Sequence, residues 1–443
     1  MADLPRLPAG FVLGTSTASY QIEGAWDADG KGPSVWDTFA AEPGRIGDGS
    51  DGRVACDHYH RWTEDVALLR ELGAGGYRFS IAWPRVQPGG SGPVNAAGLD
   101  FYDRLVDALV EAGVAPMATL FHWDLPQTLQ DAGGWPSRET AERFADYAAA
   151  CVERLGDRVA QWVPVNEPNV VTLLGHGLGW HAPGLELGFD ALPVAHHLNL
   201  AHGRALAALR AGGARAVGTA SNHAPVRAVS ESEADRGAAE LFDALWNRLF
   251  GDPVLLGRYP DLLADALPVA DGDLEAIAAP LDFYGLNYCN PQAVAAAPEG
   301  AAIPFELREV TGYPTTDFGW PVAPDGLREQ IAILGERYPG LPPIVITENG
   351  CSYGTGPDAD GVVDDQPRID YLDAHLRAVA AAIDDGADVR GYYCWSLLDN
   401  FEWAEGYAQR FGLVHVDYDT LVRTPKRSFR WYADVVRAQA APG

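Results

Sequence analysis

Short apolar runs recur along the whole chain, each followed by a longer stretch with helical spacing. This alternation narrows the fold more than any other feature. The runs begin near Phe11 (FVLGTSTAS), Gly76 (GYRFSIAW), Ala115 (APMATLFHW) and Gln161 (QWVPVNEP). They continue near Ala214 (ARAVGTASNH), Asp282 (DFYGLNYC), Leu341 (LPPIVITENG) and Val389 (VRGYYCWSLL). A run such as Ile344-Val345-Ile346-Thr347 is apolar on both faces, as parallel strands covered by helices are. Helical patterns lie between, at Asp65 to Leu72, Leu99 to Ala112 and Tyr371 to Asp384. Within them Leu99-Tyr102-Leu105-Val106-Leu109 recurs every three or four residues, the spacing of one buried face. Eight such units predict an α/β fold, a single (β/α)8 TIM barrel with extended βα loops. An open doubly wound sheet shares the alternation, but no GxGxxG follows the first run. No linker interrupts the pattern, so residues 1–443 read as one domain. The Pro/Gly/Ala-rich stretches Pro291 to Pro304 and Gly354 to Pro367 each follow a strand and are expected as long loops near an active-site rim.

Charge and composition then remove whole classes of function. There are 61 Asp and Glu against 32 Lys and Arg, a net charge of −29. A surface this negative repels phosphates, which argues against nucleic acid and anionic membrane as partners. Hydrophobic residues at 47%, with 13 Trp, supply a large ordered core. No apolar stretch reaches the roughly 18 residues of a membrane helix, and the N-terminus lacks a signal pattern. Five scattered cysteines (Cys56, Cys151, Cys289, Cys351, Cys394) form no CxxC pair, against a disulfide framework or a structural zinc site. A soluble, cytoplasmic protein is expected.

Metal and phosphate chemistry find little support. His58-Tyr59-His60 and His196-His197 are the close histidine pairs, and adjacent histidines on a helix point apart. HExxH and GxSxG are missing, and Gly73-Ala74-Gly75-Gly76 lacks a following Walker Lys. No metal or cofactor is expected.

The strands end distinctively. Arg78 and Ser80, His122-Trp123-Asp124, Asn166-Glu167, Asn287-Tyr288, Glu348-Asn349 and Trp395-Ser396 place polar and aromatic residues at six C-terminal strand ends. In a barrel that end is the catalytic face. Any one of these residues, taken singly, reads as a satisfied polar group at a strand terminus; six on one face do not. Glu167 and Glu348 close the fourth and seventh strands, on roughly opposite sides of a ring. Two acids across a pocket are the minimum for cleaving a glycosidic bond, one protonating the leaving oxygen and the other attacking carbon or activating water. Their environments must then separate two similar acidities, and Arg78 is placed to keep one carboxylate charged. Trp36, Trp123, Trp320, Trp395, Trp403 and Phe411 lie in or beside predicted loops, where flat rings suit the C–H faces of a pyranose.

FVLGTSTASYQIEG, YRFSIAWPR, TLFHWDLPQ, NEP, ITENG, WSLLDNFEWAEGY and RFGLVHVDY together resemble glycoside hydrolase family 1, the β-glucosidase family, from Phe11 to Trp431. The resemblance implies a (β/α)8 barrel that hydrolyses β-glycosides with retention and without metal or cofactor. Glu167 matches the family's acid/base and Glu348 its nucleophile, with Arg78 as the nucleophile's partner. Gln21, His122, Asn166, Glu402 and Trp403 match positions that hold the non-reducing sugar, and Asn287 follows them into the site. Trp395 resembles the platform under the ring, and Trp320 a wall of the aglycone site. Acid at Glu167 separates the chain from thioglucosidase-type members, which carry Gln. Glu402, with Gln409-Arg410-Phe411, separates it from the 6-phospho-glycosidase branch. The reading is an exo-acting retaining β-glucosidase, with transglycosylation open to it, taking small β-glucosides or oligosaccharides. A β-galactosidase, a β-fucosidase or an impaired sugar-binding relative are the alternatives, and oligomeric state is not legible. Three positions depart from the family. Cys289 replaces a Tyr that donates to the nucleophile, Asn169 replaces a Trp expected beside the aglycone, and Pro164 replaces a Thr in the fourth strand.

Overall fold

The computed structural model describes residues 4–440. Eight parallel strands are present: β1 (Val12–Ser16), β2 (Gly76–Ser80), β3 (Ala115–Phe121), β4 (Gln161–Val165), β5 (Ser221–Asn222), β6 (Tyr284–Asn287), β7 (Ile344–Asn349) and β8 (Val389–Trp395). All eight coincide with the expected apolar runs. Their hydrogen-bonded order is β4-β3-β2-β1-β8-β7-β6-β5. Parallel bridges Trp162↔Val217 and Asn166↔Ala220 join β4 to the residues around β5 and close the ring. The open doubly wound sheet is thereby excluded.

Each strand is followed by a covering helix: α1 (His58–Leu72), α2 (Ala96–Glu111), α3 (Glu139–Leu155), α4 (Leu192–Ala211), α5 (Glu233–Asp243), α6 (Pro324–Arg337), α7 (Gln366–Asp384) and α8 (Arg427–Ala440). The predicted face of α2 is the one it buries, through Leu99, Tyr102, Leu105, Val106 and Leu109. The glycine-rich segment after α1 serves the chain reversal. Gly73 adopts φ 73° and returns its N–H to the Arg70 and Leu69 carbonyls, a conformation that glycine takes without strain.

Inside the ring, Val12, Met117, Val163, Ala220, Phe283, Val345 and Tyr393 form one apolar layer. They come from β1, β3, β4, β7 and β8 and from the residues just before β5 and β6. The barrel is therefore plugged below, and chemistry is confined to the C-terminal rim. No described helix is long and apolar enough to cross a membrane.

One loop expectation fails. Pro291 to Pro304 holds the strand Gln292–Ala296, which pairs in parallel with Val226–Ala228 and antiparallel with Phe305–Arg308. This small sheet packs Val294 against Ala238, Ala239 and Phe242 of α5. Its Pro- and Ala-rich sequence is poor in the β-branched residues that mark a strand, Val294 being the only one in Gln292–Ala296, and pairing with distant segments overrides that deficit. Gly354 to Pro367 is irregular up to the start of α7 at Gln366, as expected.

Candidate active site

At the C-terminal rim of the barrel lies a cavity of about 400 Å³. His122, Glu167, Asn287, Trp320, Glu348, Trp395, Glu402 and Trp403 line it. Arg78, Asn166 and Gln21 stand behind that surface, each fully buried. The eleven residues given catalytic or sugar-holding roles from the sequence are thus gathered at one place.

Backbone irregularities aim the two glutamates. Glu167 follows β4 with φ 43°, a left-handed conformation that a residue with a side chain adopts only under structural constraint. Its N–H is held by the Ala220 carbonyl at 2.8 Å. In β7, Val345 points into the barrel, so simple alternation sends Thr347 inward and Glu348 outward. The registers with β6 and β8 both shift after Ile346. That bulge re-aims the chain, so Thr347 bonds Asn287 at 2.6 Å while Glu348 also enters the cavity.

A network ties the glutamates together. Arg78 bonds Glu348 through Nη1, Asn166 Oδ1 through Nη2 at 2.6 Å and Thr119 through Nε at 3.0 Å. Asn287 donates to Glu167 Oε1 at 2.7 Å and to Asn166 Oδ1 at 3.1 Å. Asn166 donates in turn to His122 Nε2 at 3.0 Å. Burial, reinforced by Arg78, holds His122 neutral, well below its usual range. With Nε2 accepting, Nδ1 carries the proton, and this buried atom has no protein partner. Gln21 donates to Glu402 at 3.2 Å and to Asn400 at 3.0 Å, and its Oε1 is likewise without a partner. Buried donors and acceptors of this kind are what a polyhydroxylated ligand satisfies.

Three carboxyls share the cavity. Burial first, and then the negative charge of Glu348, push Glu167 up to about 8. Burial and Glu348 likewise push Glu402 up to about 8. Glu348 is raised by burial too, but Arg78 pulls it back. Since the guanidinium touches Glu348, the proton belongs on Glu167 and the charge on Glu348.

The aromatic side is fixed around Trp403, at φ 49°, and Trp123, at φ 76°. Their rings lie 4.4 Å apart, and His122 stacks between Trp395 (5.9 Å) and Trp403 (5.8 Å). Trp36 does not reach the cavity. It is fully buried on a short helix, 4.7 Å from Trp403, and backs that ring.

The profile of Glycosyl hydrolase family 1 matches residues 4–441. The chain belongs to that family. A beta-glucosidase from Agrobacterium sp. is 48% identical over 436 residues, 97% of this chain and 95% of that one. A bifunctional beta-D-glucosidase/beta-D-fucosidase from Bifidobacterium breve is 45% identical, covering 98% and 99%. Among solved structures, the psychrophilic beta-glucosidase BglU from Micrococcus antarcticus superposes with a TM-score of 0.95 at 45% identity, covering 98% of both chains.

Two departures from the family pattern acquire a structural meaning. Asn169 does not border the cavity: it is 2% exposed, and its amide donates to the Asn222 carbonyl at 3.1 Å. The left-handed turn at Glu167 leads into a short helical turn, Pro168–Val170, in which Val170 lines the cavity and Asn169 does not. Cys289 does line the cavity, and its sulfur accepts from Asn222 Nδ2 at 3.9 Å. Nothing in the structure explains Pro164. Asn222, Trp180, Trp246 and Phe318 also line the family 1 cavity and were missed from sequence. Asn222 ends β5 as the other functional residues end their strands, so the same signal was present in GTASNH. Among the described residues, no group of three or more His, Cys, Asp or Glu is placed to hold a metal ion.

Proposed function

We propose that the protein is a retaining, exo-acting β-glycosidase, a β-glucosidase that removes terminal non-reducing β-D-glucosyl units, with the whole chain as one catalytic domain. The observation that carries this reading is the asymmetric pair at the ends of β4 and β7. Glu348 is bonded to a cation, whereas Glu167 is held protonated by burial. In the first step a Glu348 oxygen bonds to the anomeric carbon as the glycosidic bond breaks. Glu167 passes its proton to the departing oxygen. In the second step Glu167, now ionised, takes a proton from water, and the resulting oxygen displaces Glu348 with a second inversion. A sugar or alcohol replacing water gives transglycosylation.

Gln21, His122, Glu402 and Trp403 hold the sugar hydroxyls, and Trp395 lies under the ring. Asn166 keeps one Nδ2 hydrogen for the 2-hydroxyl, its other amide positions being taken by Arg78, Asn287 and His122. The beta-glucosidase names of the full-length relatives support glucose as the sugar. A cytoplasmic location belongs to the same proposal, supported by five cysteines that are all free.

Incubation with an activated 2-deoxy-2-fluoro-β-glucoside, followed by peptide mass spectrometry, tests the reading. A fluoroglucosyl adduct on the Glu348 peptide is expected. An adduct on another peptide, or none with gluco, galacto or fuco reagents, overturns the mechanism. Labelling by the galacto or fuco reagent alone corrects the sugar.

A further inference from the structure

Two of the groups proposed to hold the sugar stand on separate loops, and their spacing has to be fixed by something else. Gln21 lies in a single helical turn, Ser19–Ile22, shortly after β1, and His122 directly follows β3. The free acceptor of the first, Oε1, and the free donor of the second, Nδ1, are both buried. Between β1 and β3 in the ring stands β2, which ends at Ser80.

One chain of hydrogen bonds joins the three strand ends. Ser19 N donates to Ser80 Oγ at 2.7 Å, Ser80 Oγ donates to Ser19 Oγ at 3.0 Å, and Ser19 Oγ donates to Asp124 Oδ2 at 2.9 Å. Ser19 comes two residues before Gln21, and Asp124 two after His122. Asp124 is 1% exposed and its Oδ1 has no partner. Burial pushes its carboxyl up to about 7. A buried carboxyl bonded on one side only is costly to the fold, and next to a binding cavity it marks a functional candidate.

Trp123, between His122 and Asp124, has φ 76°, a left-handed conformation that a bulky residue keeps only when the chain around it is held. Its indole donates to the Asn166 carbonyl at 3.1 Å. The Ser19–Asp124 bond holds the following residue. With that bond gone, Trp123 is free to relax toward negative φ, and the His122 imidazole moves relative to Gln21.

We propose that Asp124 is a positioning residue for the sugar: through Ser19 it sets the spacing between Gln21 and His122. This rests on the β-glucosidase reading above. Asp124 is not among the residues lining the active-site cavity, so it acts through the two that are held, not on the substrate.

The test measures 4-nitrophenyl β-glucoside and its 3-, 4- and 6-deoxy analogues on the wild type, Asp124→Ala, Asp124→Asn and Ser19→Ala. Asp124→Ala and Ser19→Ala should each lower kcat/KM on the parent glucoside by about tenfold, chiefly through KM. Asp124→Asn keeps an acceptor for Ser19 and should recover most of the loss. The penalty should shrink to about twofold on at least one analogue, though not on all three, because a contact already absent is not misplaced. If Asp124→Ala does not fold, Ser19→Ala, which removes only the donor, carries the same comparison. An equal penalty on all four substrates marks a merely structural role and overturns the inference. So does wild-type kcat/KM in Ser19→Ala, or an Asp124→Asn variant as impaired as Asp124→Ala. Each of these leaves the β-glucosidase reading intact, whereas a wild type that cleaves none of the four overturns both.

Discussion

Arg78 is fully buried and distributes its guanidinium over three neighbouring groups, Thr119, Asn166 and Glu348. Cys289 lies in the same cavity, but its thiol is engaged with Asn222 and makes no bond to Glu348. Burial, and after it the charges of Glu167 and Glu348, push that thiol well above its usual range, so it remains protonated. The nucleophile is therefore supported chiefly from the Arg78 side. A phenol at position 289 adds a donor to the ionised form of Glu348. Stabilising that form lowers its pKa, so the acid limb of the pH profile moves to lower pH. Cys289→Tyr is expected to shift that limb of kcat/KM down by about half a unit and to raise kcat about threefold, a fraction of a charged hydrogen bond's worth. An unmoved limb with unchanged kcat would show that Arg78 already suffices. At this scale the sequence was a good guide where a residue stands at a strand end, as Glu167 and Glu348 do, and for Arg78, whose long side chain reaches the site from the middle of β2. It misplaced Asn169, because adjacency to Glu167 says nothing about a left-handed turn and short helix that bring Val170 to the cavity and leave Asn169 bonded to the Asn222 carbonyl instead.

Just past the end of β7 the chain runs close against the end of β8, where the catalytic chemistry is assembled. A Cβ on Gly350, two residues after Glu348, would overlap the carbonyl of Trp395. The glycine of ITENG is thus the spacing element between nucleophile and sugar platform, and its role is steric. Gly350→Ala must displace either the end of β7 or the Trp395 backbone. It is expected to destabilise the protein by about 1–3 kcal/mol, as core overpacking does. Because either displacement moves a group lining the cavity, kcat/KM should also fall about 100-fold or more, on the scale of catalytic misplacement. A stable, fully active variant would refute this account of the motif. The eight strand–helix units were legible because the apolar runs recur at each strand, several of them apolar on both faces as in Ile344-Val345-Ile346-Thr347, and alternate with helices that carry one apolar stripe. The bulge in β7 was not, since ITEN reads equally well as regular alternation and only the neighbouring registers reveal the shift. The strand at Gln292–Ala296 was hidden for a related reason, its partners Val226–Ala228 and Phe305–Arg308 being remote or poor in β signals.

For the molecule as a whole, the cavity carries an electrostatic strain on top of a net charge of −29. Glu167 and Glu402 both stand at about 8 in the fold against an ordinary value of 4.5. Between those values the unfolded chain has released protons that the folded chain retains. Stability contributed by these groups is therefore full below about pH 4.5 and lost as pH rises to 8. Asp273 and Asp399 act in the opposite sense. Their carboxyls are held far below the usual range, chiefly through Arg138 and Lys426 respectively against the effect of burial, so they destabilise the fold only in strong acid. Five buried histidines, His176, His181, His202, His223 and His375, are pushed down to about 4 by burial from an ordinary 6.5, so stability is also lost as pH falls through that window. The combined profile therefore has its maximum near neutral pH and declines toward pH 8. Glu402→Gln removes one of the two groups responsible for the decline while keeping an acceptor for Gln21. Its Tm is expected to exceed the wild type's by about 2–3 °C at pH 8.5 and to match it near pH 4.5, with binding of the sugar weakened. General repulsion among surface carboxylates also grows with pH, and salt separates the two causes. Screening in 0.5 M NaCl relieves surface charges far more than buried ones. The Tm difference between variant and wild type at pH 8.5 should therefore persist in salt, and its disappearance would move the strain from the cavity to the surface.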